Sequence, residues 1–338
     1  MPDQPIKHTP TILFVGNQRS SFVKNDFEIL GKHFPVTPLS LTQQGHPLRS
    51  LPRFILNTLI QTQRADLVYC WFANMESFLP VLLARIMKKQ TIVVAGGYDC
   101  ANEPSYYYGN FAHPLKRIIA SSILTHADDV LAVSHFTEHE ALSHTTPRHI
   151  HTVYNGVDTD KFRPSQPPRE NLVVTVATVD ALNTRIKGLR TFAQASRAFP
   201  DHQFTIIGPT EEPAKQDLLA INPCLRFLGA IPHDEIVPWF QRAKVYCQLS
   251  YRESFGLALA EAMSCGCIPV TTDRGALPEI VADQGFIVPY DDVTTTITAL
   301  TSALREAGKN PVGPRQRILT TFSLKRREEN LLSLIPHE

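Results

Sequence analysis

The first half of the chain alternates short β-branched runs with stretches of helical spacing. TILFVG (11–16), DLVYCWF (66–72), TIVVAGG (91–97) and DDVLAVS (128–134) have strand length, and FVKNDFEILGKHF and SFLPVLLARIMKKQ lie between them. Apolar runs of this length suit strands buried on both faces, and helices between them supply the crossovers that parallel strands require. The second half repeats the layout with LVVTVAT (172–178), HQFTIIG (202–208), LRFLGAI (225–231), AKVYCQLS (243–250) and CIPVTTD (267–273). The expected fold class is α/β, with two Rossmann-like, doubly wound parallel-sheet domains.

The segment DKFRPSQPPREN (160–171) is rich in proline and charge and suits an exposed connection. The boundaries follow: an N-terminal domain over 1–160, a C-terminal domain over 171–315, and a terminal segment 316–338. That segment carries an amphipathic helix, FSLKRREENLLSLI (322–335), with no strand to follow; a return to the first domain is expected.

With 338 residues, each domain can bury its own core. Lys and Arg number 33 against 32 Asp and Glu, so no global field draws the chain onto nucleic acid. The N-terminus MPDQPIKHTP lacks a secretory pattern and no run reaches membrane-spanning length, which predicts a soluble cytoplasmic protein. Cys70, Cys100, Cys224, Cys247, Cys265 and Cys267 contain no C-x-x-C pair and mostly sit in or beside apolar runs; neither a disulfide nor a zinc site is indicated.

The stretch YRESFGLALAEAMSCGCIPV (251–270) leaves a strand, opens a helix and enters another strand. In open parallel sheets ligands bind beyond the carboxyl ends of the strands, where helix N-termini offer free amides. Ser254, Phe255, Gly256 and Leu257 open the helix, and Gly256 lets the backbone approach a ligand closely. First-turn amides there can hold a diphosphate. Glu253 lies just before the helix and Glu261 inside it. Carboxylates beside a phosphate repel it, so these two are expected to accept hydrogen bonds from flanking hydroxyls, a sugar on one side and a ribose on the other.

Glu253 and Glu261 match the E-x7-E pattern of the retaining glycosyltransferases of family 4, and VSHFTEHEAL (133–142), VYNGVDTDKFRP (153–164), IKGL (186–189) and EIV…GFIVPYDD (279–292) match the same family in order. The chain therefore resembles that family across both halves. The resemblance implies a GT-B fold, two such domains facing a cleft, and transfer of a hexose-type unit from a nucleoside-diphosphate sugar to a hydroxyl acceptor. It implies a catalytic set of Asp99, Glu253 and Lys187, with Glu261 on the ribose and Lys187 and Gly188 in the diphosphate clamp. Lysine and a helix N-terminus can neutralise the leaving diphosphate, so no metal is expected, and the nucleotide sugar is a substrate with no separate cofactor. One departure stands: where the family often has an arginine after the first strand of this domain, the chain has Thr178 and Val179, and Arg185 is the substitute candidate.

GNQRSSFVKND (16–26) brings Gly16, Arg19 and Lys24 to a helix opening that can receive the donor phosphate or an acidic acceptor, or stand as a solvated loop; Gly16 is expected on the donor side and Arg19 and Lys24 on the acceptor side. AGGYDC (95–100) ends a strand, its glycines leaving room above the sheet, with Asp99 expected where the donor sugar arrives and Tyr98 expected on the acceptor side. An Asx-type turn capped by Asp99 is the competing reading. YYYGN (106–110) offers flat faces for a sugar ring or for the core. HFTEH (135–139) matches a zinc-protease string but reads as an ordinary helix capped by Ser134. Sugar, lipid-linked and small-molecule acceptors stay open, as does peripheral membrane contact. An epimerase or phosphorylase on the same fold, or a sugar-binding protein without turnover, is the alternative.

Overall fold

The computed structural model describes residues 9–41, 47–165, 168–307 and 312–335. The chain divides into two compact units, Met1–Gly156 with Lys325–Glu338, and Val157–Leu324.

Unit 1 holds a six-stranded sheet in the order β2-β1-β3-β4-β5-β6. Its strands are β1 (Ile12–Val15), β2 (Val36–Leu39), β3 (Leu67–Trp71), β4 (Gln90–Ala95), β5 (Asp129–Ala132) and β6 (His149–Thr152). All pairings are parallel. Crossovers are made by α1 (Ser21–His33), α2 (Pro47–Arg64), α3 (Met75–Ile86), α4 (Pro114–His126) and α5 (His135–His144). One sheet face, with Val68, Cys70, Val93 and Val130, packs on Phe54 of α2, Val81 of α3 and Ile123 of α4. Ser134 caps α5, its hydroxyl oxygen accepting from the Thr137 amide at 3.0 Å.

Unit 2 repeats the scheme in the order β12-β11-β10-β7-β8-β9. Its strands are β7 (Glu170–Val176), β8 (Gln203–Ile207), β9 (Arg226–Gly229), β10 (Ala243–Gln248), β11 (Ile268–Thr272) and β12 (Phe286–Val288). The first helices are α6 (Ala181–Ile186), α7 (Leu189–Ser196), α8 (Glu212–Ile221) and α9 (Val237–Arg242). Then come α10 (Leu257–Ser264), α11 (Leu277–Val281), α12 (Val293–Ala307) and α13 (Gly313–Thr321). These pairings are parallel too.

The division falls at Gly156, before the proline-rich segment at 160–171. Residues just after Gly156 are tied to unit 2. Arg315 of α13 donates to the carbonyls of Phe162 (3.0 Å) and Thr159 (3.2 Å), and the Val157 amide donates to Phe322 at 2.7 Å.

The last helix, α14 (Leu324–Leu334), lies with unit 1 from Lys325 onward. Its Arg327 is fully buried and reaches Asp26 of α1, with Nη2 2.6 Å from Oδ2. Asp26 also accepts from the Tyr69 hydroxyl (2.7 Å) and the Trp71 indole (2.8 Å), and Arg327 Nη1 donates to the carbonyls of Val153 and Tyr154. A buried ion pair survives only when its remaining donors and acceptors are satisfied, and here both partners meet that condition several times over. Among the described residues no helix is long and apolar enough to cross a membrane.

Candidate active site

In unit 2 the carboxyl end of β10 brings three side chains onto one carboxylate. Lys187 Nζ and Gln248 Nε2 each lie 2.7 Å from Glu253 Oε2, and Ser250 Oγ lies at 3.5 Å. Two glycines make this approach possible. Gly188 has φ +62°, and a Cβ there would stand 2.0 Å from the Leu249 carbonyl oxygen; Gly275 has φ +62°, and a Cβ would stand 2.3 Å from the Glu253 carbonyl oxygen. An L side chain at either position is strained and blocked by backbone. Lys187 is thereby held beside the end of β10, and the backbone of Glu253 is fixed from the other side.

Gly256 precedes α10 at φ +92°, and Leu257 begins the helix. Phe255 is buried and meets Phe322 edge to face at 5.8 Å, while Ser254 and Leu257 are half-buried. The first-turn amides of α10 therefore emerge directly after the Lys187–Glu253 pair. Glu261 lies in the second turn of the helix with 6% of its side chain exposed, and its Oε1 is 2.8 Å from His233 Nε2. Burial raises its pKa above the ordinary value, against the lowering pull of His233. Arg185 is exposed near the end of α6, two residues before Lys187, and its carbonyl accepts from the Tyr290 hydroxyl at 2.9 Å. Val179, where an arginine was missing from the expected pattern, is fully buried and bridges to Thr210.

Unit 1 has a cavity of about 600 Å³ beyond the carboxyl ends of its strands, walled by Leu41, Phe72, Met75, Tyr98, Leu115 and Ile119. Asp99 reaches it too but is only 1% exposed. Its Oδ2 accepts from the Ala73 amide at 2.9 Å and its Oδ1 from the Gly97 amide at 2.7 Å, so it ties the loop after β3 to the loop after β4. Burial pushes the Asp99 carboxyl above its usual range, and the backbone donors work the other way. The room expected above the glycine pair is filled: a Cβ at Gly96 would lie 2.2 Å from the Phe72 ring.

Other expected acceptor residues are less engaged. Gly16, expected at the donor phosphate, is buried, with a Cβ position 3.1 Å from Trp71 Cβ, whereas the expected acceptor residue Arg19 is exposed and Lys24 pairs with Glu28 along α1 at 3.4 Å. Tyr98 lies edge to face with Tyr108 at 5.0 Å, and Lys116 stands 5.8 Å from its ring centre. His135 and Glu138 of the HFTEH string bond to each other at 3.0 Å, and Thr152 donates to Glu138. Three residues of this unit 2 site escaped the sequence reading: Gln248, Gly275 and His233. The position of Gln248 as the last polar residue of a buried strand was the available signal; His233 carried none.

Residues 7–161 match the family described as Glycosyltransferase Family 4, and residues 171–306 match Glycosyl transferases group 1. The chain belongs to the family 4 glycosyltransferases. Relatives of this family 4 chain include a D-inositol 3-phosphate glycosyltransferase of Corynebacterium kroppenstedtii, 30% identical over 55% of this chain and 48% of the relative. Another is the MMP alpha-(1->4)-mannosyltransferase of Mycolicibacterium hassiacum, 27% identical over 53% of this chain and 46% of the relative. The chain spans about half the length of the curated relatives it matches. Among solved structures, sucrose-phosphate synthase of Thermosynechococcus elongatus superposes with a TM-score of 0.77 at 18% identity, covering 96% of this chain and 98% of that one. The Anabaena protein HepE in complex with UDP gives 0.76 at 14%, with the same coverage. The fold of this glycosyltransferase family member is thus GT-B.

Proposed function

We propose that this chain transfers a sugar, with retention, from a nucleoside-diphosphate sugar to a hydroxyl acceptor. The observation that carries the reading is the convergence of Lys187 and Gln248 on Glu253 at the opening of α10, with buried Glu261 further along the same helix. Lys187 and the α10 amides supply the positive charge that a diphosphate needs, and this reading calls for no metal. Glu253 accepts from donor-sugar hydroxyls and Glu261 from the ribose; Ser254 to Leu257 and Gly188 give backbone contact, and Arg185 meets the outer phosphate.

In the transfer, the bond from the anomeric carbon to the phosphate oxygen breaks and its electron pair stays on the diphosphate. The acceptor oxygen bonds to that carbon from the same face, and its proton passes to a donor phosphate oxygen. No carboxylate nucleophile is required. Unit 1 takes the acceptor through its cavity, with Tyr98 as a wall and Asp99 as a positioning group that holds the two loops. UDP bound to the HepE neighbour supports a nucleotide on this fold. The relatives' names favour an acceptor of the polyol or sugar class, and the apolar cavity wall favours one that also carries an apolar part.

A panel of nucleoside-diphosphate sugars, incubated with candidate acceptors in the presence of a chelator, tests the reading. Acceptor-dependent release of free nucleoside diphosphate with an α-configured product is the expected result. Release without acceptor, epimerised donor or phosphorolysis would overturn it.

A further inference from the structure

Helix α2 is turned inside out. Phe54, Thr58 and Thr62 form its buried stripe, while Leu51, Ile55, Leu56 and Leu59 face water. Thr58 must return its hydroxyl to the Phe54 carbonyl (2.7 Å), and the Thr62 hydroxyl finds no partner among the described residues. A helix serving only its own core would exchange these two sets.

The anomaly continues across the same side of the sheet. Helices α2, α3 and α4 lie next to one another. Leu82 and Ile86 of α3 and Leu115 and Ile118 of α4 are exposed, Ile86 and Ile118 to 68%. Charge on these helices is one-sided. Their sequences carry Arg49, Arg53, Arg64, Arg85, Lys116 and Arg117 against the single acid Glu76, in a chain whose charges balance as a whole. Glu76 is itself engaged by the Leu41 amide.

Between α3 and α4 runs a groove with Phe78, Val81, Leu82 and Ile123 in its walls. It shares Arg85 and His126 with a second cavity, of about 440 Å³, to which Lys88, Lys89 and Arg148 also belong. Asp128 is the acid of that cavity, and it is spent on Arg148 (2.6 Å) and the Thr91 amide (3.0 Å). Among the described residues Arg85, Lys88 and Lys89 have no ion-pair partner.

We propose that this face of unit 1 seats on the surface of an anionic phospholipid bilayer. Headgroup phosphates occupy the cavity of Arg85, Lys88 and Lys89, and the aliphatic side chains of α2, α3 and α4 enter the boundary of the acyl region. Broad, shallow aliphatic exposure flanked by cations is what a bilayer surface complements. Nucleic acid would ask for stacking faces that these aliphatic side chains do not offer. The inference concerns a surface separate from the donor residues and needs no turnover to be tested.

The full chain is sedimented with vesicles of phosphatidylcholine alone and of phosphatidylcholine mixed with phosphatidylglycerol. Partitioning at least about tenfold stronger onto the anionic vesicles, declining as salt rises, is expected. Lys88→Glu with Lys89→Glu should lower it by about tenfold or more. Leu56→Gln with Ile86→Gln should remove the part that survives high salt, and all variants should keep the parent melting temperature because these positions are exposed. Equal partitioning on both vesicle types, no partitioning, or an unchanged charge-reversed variant would overturn the proposal. Stabilisation by inorganic pyrophosphate that Lys88→Glu with Lys89→Glu abolishes, without vesicle binding, would also overturn it, assigning the basic cavity to a soluble anion.

Discussion

Lys187 Nζ lies 2.7 Å from Glu253 Oε2, across 66 residues of sequence. The lysine expected to hold a phosphate is thus held by the carboxylate expected to meet the sugar. On the proposed function, a diphosphate at the α10 amides would offer Lys187 a more highly charged partner and free Glu253 to accept from sugar hydroxyls. On that reading the pair would be a placeholder that orients both side chains before donor binds, and Gln248, 2.7 Å from Glu253 Oε2, would retain the carboxylate once the lysine moved.

Glu253 and Glu261 should separate by ligand. Glu261→Gln is expected to weaken even the sugar-free nucleoside diphosphate, whereas Glu253→Gln should show its main loss with the intact donor. Calorimetric titration of both ligands into both variants checks this; equal losses for the sugar-free nucleotide would contradict the assigned roles.

The buried Glu261 carboxyl also predicts a pH effect. Its folded pKa is raised above the ordinary 4.5, so in the window above 4.5 the folded state binds more protons than the unfolded one. Stability attributable to this group is therefore present at low pH and falls as pH rises through the folded pKa. Urea unfolding across that window should show a steeper decline for the parent than for Glu261→Gln. Parallel slopes would show that the group is not perturbed.

Asp99 has a structural task that Asp99→Asn would compromise. An amide side chain keeps one acceptor oxygen for Ala73 or Gly97 and turns its NH₂ toward the other backbone amide. A stability loss of about 1–3 kcal/mol is expected, accompanying any fall in kcat. Turnover lowered in a variant of parental stability would instead place Asp99 in the chemistry itself.

Arg327→Met should leave Asp26 buried without its ion partner, at a cost of about 3–5 kcal/mol in chemical denaturation. Asp26→Asn with Arg327→Met should recover part of that loss. No recovery in the double variant would mean that the two residues do not act as a pair.

The central strands of both sheets were legible because each is buried on both faces and reads as a continuous apolar run. The strands that escaped notice, β2, β6 and β12, are all sheet edges. VTPL, HIHT and FIV are partly exposed and short, and their polar or proline positions erase the periodic signal. The unit 2 site was legible as far as its local pattern reached: Lys187 beside Gly188, and Glu253 and Glu261 on either side of the α10 start. His233 was not, because only the folding of the loop after β9 brings it to Glu261. Asp99 showed the reverse, since its position was evident but its two backbone partners were not.

The most direct test of the account is calorimetric titration of a nucleoside diphosphate and of the matching bare nucleoside into the parent and Lys187→Ala. If Lys187 exchanges Glu253 for the diphosphate, the variant should lose at least about tenfold in diphosphate affinity, roughly 1.4 kcal/mol, with nucleoside affinity nearly unchanged. Equal loss for both ligands, or unchanged diphosphate binding in the folded variant, would contradict the account.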